Sequence, residues 1–161
     1  MTVDVIDKNG YRKNVCIVIA NNKEKVLLAR RVNDKGWQFP QGGVLTGETY
    51  REAMYRELYE EVGLLQDDIE IIAATSRLYF YRLPEAFVNR RRKPICIGQK
   101  QKWYLLRLRA SPKQINLNAT AKPEFDSYKW MDYWDPIDEV IDFKRAVYML
   151  ALQQLDKLRV N

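Results

Sequence analysis

Residues 42–64 read GGVLTGETYREAMYRELYEEVGL. Two glycines open the stretch, Gly63 closes it, and between them Tyr55, Leu58, Tyr59 and Val62 recur at the i, i+3, i+4, i+7 spacing of a helix face. The spacing predicts a helix over Thr49 to Val62, with Gly63 as its C-terminal stop. At 100° per residue, Glu57, Glu60 and Glu61 fall within about 100° of one another, with the apolar residues roughly opposite. The expected helix thus packs with one face and carries carboxylates on the other. Like charges at i, i+4, as in Glu57 and Glu61, cost an isolated helix a few tenths of a kcal/mol, so helix stability does not explain the stripe. A lone Glu-Glu pair is more commonly a solvated surface. Three clustered carboxylates without His or Cys nearby also form an all-oxygen ligand set, which suits Mg²⁺ or Mn²⁺ and disfavours zinc or copper.

On the N-terminal side, Val15 to Ala20 and Val26 to Ala29 are short apolar runs separated by Asn21-Asn22-Lys23-Glu24, which predicts an antiparallel hairpin. Gly36 to Gly47 holds four of the seven glycines and reads as a loop. C-terminal to the helix, Ile69 to Tyr81 and Ile95 to Arg109 read as long strands joined by a basic loop around Arg90 to Lys93, and Tyr128 to Trp130 as a short strand. Asp135-Pro136 reads as the N-cap and first residue of a helical turn. A last helix, about Phe143 to Leu158, is expected to bury Val147, Leu150, Ala151, Leu155 and Leu158. Grouped strands with helices between and after them favour a mixed-sheet α+β or α/β/α sandwich over a doubly wound parallel sheet.

With 161 residues, of which 47% are hydrophobic and 30% charged, the chain fits one domain spanning 1–161. The complete absence of histidine excludes Ser/His/Asp and Cys/His nucleophilic sites, a histidine base and histidine-ligated zinc. Cys16 and Cys96 lie in Val and Ile runs, as small buried hydrophobes rather than a disulfide framework, and a reducing cytoplasm is the expected compartment. Met1 to Asn9 carries charges and no apolar signal region, and no stretch approaches the roughly 20 apolar residues of a membrane span, so neither secretion nor membrane insertion is expected. The net charge is +6. Between Arg77 and Arg109 the only acid is Glu85, whereas five glutamates face two arginines between Gly42 and Leu64. An acidic patch in a basic body suits a metal-assisted site acting on a polyanion.

Gly42, Glu48, Arg56-Glu57-Leu58, Glu60-Glu61 and Gly63-Leu64 reproduce the nine fixed positions of the Nudix box, and the chain resembles the Nudix hydrolases. The resemblance implies an α/β/α sandwich with a mixed sheet, and hydrolysis of a nucleoside diphosphate linked to another group. It implies that Glu57, Glu60 and Glu61 hold divalent cations, that Arg56 orients a glutamate, and that Gly42 and Gly63 let the backbone bend. The resemblance extends well beyond the fixed positions of the box: Gly10-Tyr11-Arg12, Trp37 to Gly43, Ala53 to Leu58, Lys93 to Trp103, Pro123-Glu124-Phe125-Asp126 and Phe143-Lys144-Arg145 are similar to the bacterial RNA pyrophosphohydrolases, formerly described as diadenosine polyphosphate hydrolases. Lys13 and Thr46 stand where that group has proline, which touches loop geometry alone.

From this likeness Glu124 is expected to bind metal or activate water beside Glu57, Glu60 and Glu61, completing a catalytic set with Arg56. Arg31, Tyr81, Phe143 and Lys144 are expected to line the substrate cleft. The substrate implied is 5′-phosphorylated RNA, handled by a monomer. A diadenosine polyphosphate hydrolase is the alternative, and a non-catalytic RNA-binding module is a third reading, which the intact Glu57, Glu60, Glu61 and Glu124 disfavour.

Overall fold

Strand β1, Tyr11–Ala20, is buried along its whole apolar run from Val15 to Ala20, because a layer covers each of its faces. The computed structural model describes residues 3–160; the ends of the expected 1–161 span, and the start of the charged N-terminal segment, lie outside the described residues. Along β1, Cys16, Val18 and Ala20 point into one core and Val15, Ile17 and Ile19 into the other. A side-chain period of two therefore feeds both layers. A run with no polar alternation is what a strand covered on both faces requires.

The remaining strands are β2 (Val26–Arg31), β3 (Trp37–Gln38), β4 (Gln41–Gly43), β5 (Ile69–Ala74), β6 (Tyr79–Arg82), β7 (Gly98–Leu108) and β8 (Phe125–Met131). Among the described residues all eight join one sheet with the path β3-β2-β1-β7-β5, while β4 pairs β1, β6 pairs β7 and β8 pairs β2. The β1–β7 pair is parallel over ten residues, from Tyr11 opposite Gly98 to Ala20 opposite Arg107, and the other strand pairs are antiparallel. The sheet is mixed, as the sequence led one to expect. Helix α1, Tyr50–Val62, packs Met54, Leu58 and Val62 on one face of it. On the other lie the one-turn helix α2, Pro136–Glu139, and α3, Arg145–Arg159, whose Tyr148 meets Phe39 and Trp103 and whose Leu152 and Leu155 join the same core. Each fully buried aliphatic side chain of this kind contributes about 1.5–3 kcal/mol over its exposed state. No described helix is long and apolar enough to cross a membrane.

Several sequence expectations are corrected. The single strand expected over Ile69 to Tyr81 is two, β5 and β6. Thr75 breaks it, because its hydroxyl accepts the Trp103 N–H at 3.0 Å and ends the ladder before Ser76 and Arg77. The expected loop at Gly36 to Gly47 contains β3 and β4, too short to leave a periodic pattern. The buried stripe of α3 is Val147, Tyr148, Ala151, Leu152 and Leu155; Leu150 and Leu158 face solvent, one helical step away from it. Asp135 already has helical backbone angles and its side chain makes no capping bond. Cys16 is buried as expected, but Cys96 is only half-buried.

Candidate active site

Helix α1 is held at both ends by backbone chemistry that its sequence supplies. Thr49 Oγ1 accepts the Glu52 N–H at 3.1 Å while Glu52 Oε1 accepts the Thr49 N–H at 2.9 Å, a reciprocal cap. Gly63 ends the helix at φ 74°, in the left-handed region. Gly42 works differently from the expectation that it lets the chain bend, since a Cβ there would sit 2.0 Å from Glu57 Cδ. Only a residue without a side chain leaves room for that carboxylate against β4.

The carboxylates are not a solvated stripe opposite the packing face. Glu57 and Glu61 belong to the buried side of α1 with Ala53, Met54, Leu58 and Val62, at 9% and 5% exposure, whereas Tyr59, expected to pack, is 45% exposed. Tyr55 is half-buried. Glu61 Oε2 accepts the Gln41 N–H at 3.0 Å. Arg56 lies behind the group and ties it together. Its Nη1 donates to Glu57 Oε1 at 2.8 Å and Glu60 Oε2 at 3.1 Å, its Nε to Glu48 Oε2 at 2.7 Å, and its Nη2 to Glu48 Oε1 at 3.0 Å and the Gly43 carbonyl at 2.7 Å. Glu48 also accepts the Leu45 N–H, at 2.8 Å.

Burial pushes the Glu57 carboxyl up to about 7, with the Arg56 hydrogen bond and charge opposing and Glu60 reinforcing the rise. Glu61 is raised well above the ordinary range by burial and then by the charges of Glu57 and Glu124. Adjacent buried carboxylates that repel each other are the electrostatic complement of a cation. The donor set is all carboxylate oxygen, as Mg²⁺ or Mn²⁺ requires, and Glu57 Oε2, Glu60 Oε1 and Glu61 Oε1 stand outside the hydrogen bonds just described. The residues therefore fit a hard divalent ion by chemistry. Among the described residues no three acidic or cysteine side chains are drawn together as a ready-made cage.

One cleft of about 1000 Å³ is lined by Glu57, Glu60, Glu61 and Glu124 together with Arg31, Tyr81, Phe143 and Lys144. Arg56, which does not line it, supports the carboxylates from outside. Glu124 reads as loop in isolation, but it immediately precedes β8, and its carbonyl accepts the Val32 N–H at 3.0 Å, next to the end of β2. The β2–β8 pairing shifts register between Arg30 and Arg31, and Arg31 lines the cleft. Tyr81 is buried in β6, Phe143 half-buried, their rings 5.8 Å apart. Lys144 Nζ donates to Gln38 Oε1 at 3.1 Å and sits 5.6 Å from the Tyr81 ring centroid. Burial lowers the Lys144 ammonium to about 8, with Cys16 and Glu61 opposing and Arg31 reinforcing the drop.

Two lining residues escaped sequence reasoning. Arg12 and Gln99 face the same cleft, and the buried Arg12 Nε and Gln99 Oε1 have no hydrogen-bond partner. Polar side chains left unpaired at the wall of a cleft are groups that a polar ligand satisfies. The available signal was Gln99 and Gln101, polar residues two apart leading into the apolar run of β7. Gln101 is spent internally, donating to Asn14 and Gln41 and accepting from Trp103 Nε1 at 3.1 Å.

A family model described as NUDIX domain matches residues 10–151. An RNA pyrophosphohydrolase of Francisella philomiragia is 55% identical over 148 residues, covering 92% of this chain and 95% of that protein. One from Pseudomonas putida is 50% identical over 151 residues, covering 94% and 95%. Among solved structures, the E. coli dihydroneopterin triphosphate pyrophosphohydrolase superposes with a TM-score of 0.69 at 22% identity, over 92% of this chain and 95% of that one. A C. elegans Ap4A hydrolase does so at 0.65 and 19%, over 90% and 97%. At those identities the likeness is one of fold.

Proposed function

The chain belongs to the NUDIX family, and from that premise we propose that it is an RNA pyrophosphohydrolase, removing pyrophosphate, or successive phosphates, from the 5′ end of tri- or diphosphorylated RNA to leave a monophosphate. The observation that carries this reading is the meeting in one cleft of a set of carboxylates with a set of cations and rings. The first suits a metal-assisted attack on a phosphoanhydride; the second suits the phosphates and base of a nucleotide. Identity of 50–55% to RNA pyrophosphohydrolases over nearly the whole chain supports RNA as the carrier of those phosphates.

Glu57, Glu60 and Glu61, with Glu124 added, are the residues that would hold Mg²⁺ or Mn²⁺. When bound, such an ion neutralises phosphate oxygens and acidifies a water. Glu124 accepts the proton of the attacking water at a carboxylate oxygen. Arg31 and Lys144 meet the phosphates, while Tyr81 and Phe143 offer ring faces to a base. Arg12, with its unpaired Nε–H, adds a donor to the phosphate chain, and Gln99 Oε1, an acceptor, is free for a hydroxyl or amino group of the nucleotide. The reaction belongs in a reducing cytoplasm, where the free thiols Cys16 and Cys96 persist, and the enzyme works as a monomer.

The test is a side-by-side assay of the purified protein on 5′-triphosphate RNA and on diadenosine polyphosphates. RNA is expected to be the better substrate, with Arg31→Ala and Lys144→Ala losing more activity on RNA than on the dinucleotide. Much faster cleavage of the dinucleotide by the unsubstituted protein would overturn the reading.

Lys144 also sets a pH dependence. An ammonium held at about 8 in the fold against 10.5 for an ordinary lysine gives up its proton as pH rises through 8. The unfolded chain binds more protons between those values, so this group's contribution to stability rises across that window while its attraction for phosphate falls. The profile of kcat/KM, which reports the free enzyme, is expected to descend above pH 8, and Lys144→Met to lack that limb. An identical limb in the variant would remove Lys144 from phosphate binding.

A further inference from the structure

Phe87 is 59% exposed, an unusual position for a phenylalanine, and it stands at the lip of the cleft rather than on the outer surface. It closes a short 3-10 turn, Glu85–Phe87, whose last N–H donates to the Pro84 carbonyl at 2.8 Å. Its ring lies 5.6 Å from that of Phe143, tilted by 43°, and Phe143 in turn lies 5.8 Å from Tyr81. Three rings thus form a row that begins at buried Tyr81 beside the Lys144 ammonium and ends in solvent. Ile141, also exposed, lines the same cleft.

Immediately beyond Phe87 the chain becomes cationic. Arg90, Arg91, Arg92 and Lys93 are all exposed, and Arg90 donates to both Glu85 carboxylate oxygens, which anchors the start of the loop to the turn that carries Phe87. An open ring contiguous with a phosphate cleft and flanked by cations has the makings of a single-strand platform, where a base stacks and the backbone meets positive charge. A mononucleotide confined among the carboxylates, Lys144 and Phe143 would leave the outer ring unused.

We infer that Phe87 is a stacking platform for a base of 5′-phosphorylated RNA farther from the phosphates than the one that meets Phe143, so that the enzyme reads chain length as well as the 5′ end. This assignment rests on the RNA reading of the cleft. It makes Phe87 a specificity-determining residue, with Arg91, Arg92 and Lys93 holding the phosphates on either side of the stacked base.

The experiment measures kcat/KM on 5′-triphosphorylated RNAs of two to eight nucleotides, and on an eight-nucleotide RNA with a single abasic residue moved along it. In the unsubstituted protein, kcat/KM is expected to rise with length until the platform is reached. One abasic position should then cost about tenfold, the effect of losing one base–aromatic stack. Phe87→Ala should lose the length-dependent gain and the abasic penalty together. Phe87→Leu should behave like Phe87→Ala, because an aliphatic residue keeps contact with Phe143 without offering a ring face, and Phe87→Trp should retain both effects. The assignment is overturned if Phe87→Leu matches the unsubstituted protein, or if Phe87→Ala lowers activity on all lengths in equal proportion. Failure of the RNA reading is distinguishable: the unsubstituted protein would then cleave a dinucleoside polyphosphate and none of the RNAs, and both proposals would fall.

Discussion

Glu61→Gln is expected to lower turnover on 5′-triphosphate RNA by about 10²-fold or more, because it removes charge from the place where a divalent cation has to be held. The substitution preserves shape, and the amide oxygen of glutamine still accepts the Gln41 N–H that Glu61 Oε2 accepts now. Without metal, the native protein keeps this carboxyl buried within reach of the charges of Glu57 and Glu124, each of which disfavours its ionised form. Removing it relieves repulsion, so the melting temperature of the variant in chelator is expected to equal or exceed that of the unsubstituted protein. Adding Mn²⁺ should reverse the ranking, since an ion that binds only the folded state stabilises it by an amount that grows with the logarithm of one plus the ratio of its concentration to its dissociation constant. Thermal melts with and without Mn²⁺, beside a turnover assay, check all three outcomes. Near-normal turnover, or an undiminished Mn²⁺ shift in the variant, would take Glu61 out of the metal site.

Arg56→Lys is expected to cost about 10²-fold in turnover by another route, since Arg56 is a positioning residue outside the cleft. The guanidinium spans Glu48, Glu57, Glu60 and the Gly43 carbonyl with five donor contacts in one plane. A lysine keeps the charge but concentrates its donors at one atom, so it cannot bridge carboxylates on opposite sides. Some of them then lose partners, with an expected loss of about 1–3 kcal/mol in urea unfolding. What separates positioning from ligation is the metal titration. The half-saturating concentration should rise in Arg56→Lys, and excess metal should restore part of its turnover, which it should not do for Glu61→Gln. Equal metal dependence in Arg56→Lys and the unsubstituted protein would reduce Arg56 to a structural role.

Local chemistry was the part of this molecule that its sequence made legible. The unbroken run from Val15 to Ala20, the Gly63 stop and the spacing of Arg56 to Glu61 each act within a few residues, and each appears in the fold where it was expected. Periodicity treats every charge as solvent-facing and so places Glu57 and Glu61 on the wrong side of α1. The burial of Glu57 is made possible by Gly42, on a different element, and sustained by Arg56, while Glu61 is held by the Gln41 N–H. Leu150 and Leu158 face solvent against expectation because hydrophobicity does not say which of two adjacent apolar stripes meets the sheet. Arg12 and Gln99 went unassigned because their significance is an unpaired atom at a shared wall, a property of the assembled structure. The likeness to a known family supplied Glu124, Arg31, Tyr81, Phe143 and Lys144, drawn from four separate segments, and the structure brings all five to one cleft.

The ten-residue parallel pairing of β1 with β7 has a consequence for how this protein is made. On a translating ribosome, β1 emerges early and must wait for residues 98–107 before its central neighbour exists, and β2 must wait longer still for β8. Helix α1 and its glutamates leave the exit tunnel well before Glu124 does. Contacts so distant in sequence form late, after the entropy of closing the intervening chain has been overcome. A truncated or stalled product carrying the entire glutamate helix would therefore lack Tyr81, Glu124, Phe143 and Lys144 from the cleft lining, and hydrolytic competence would arrive only near the end of synthesis.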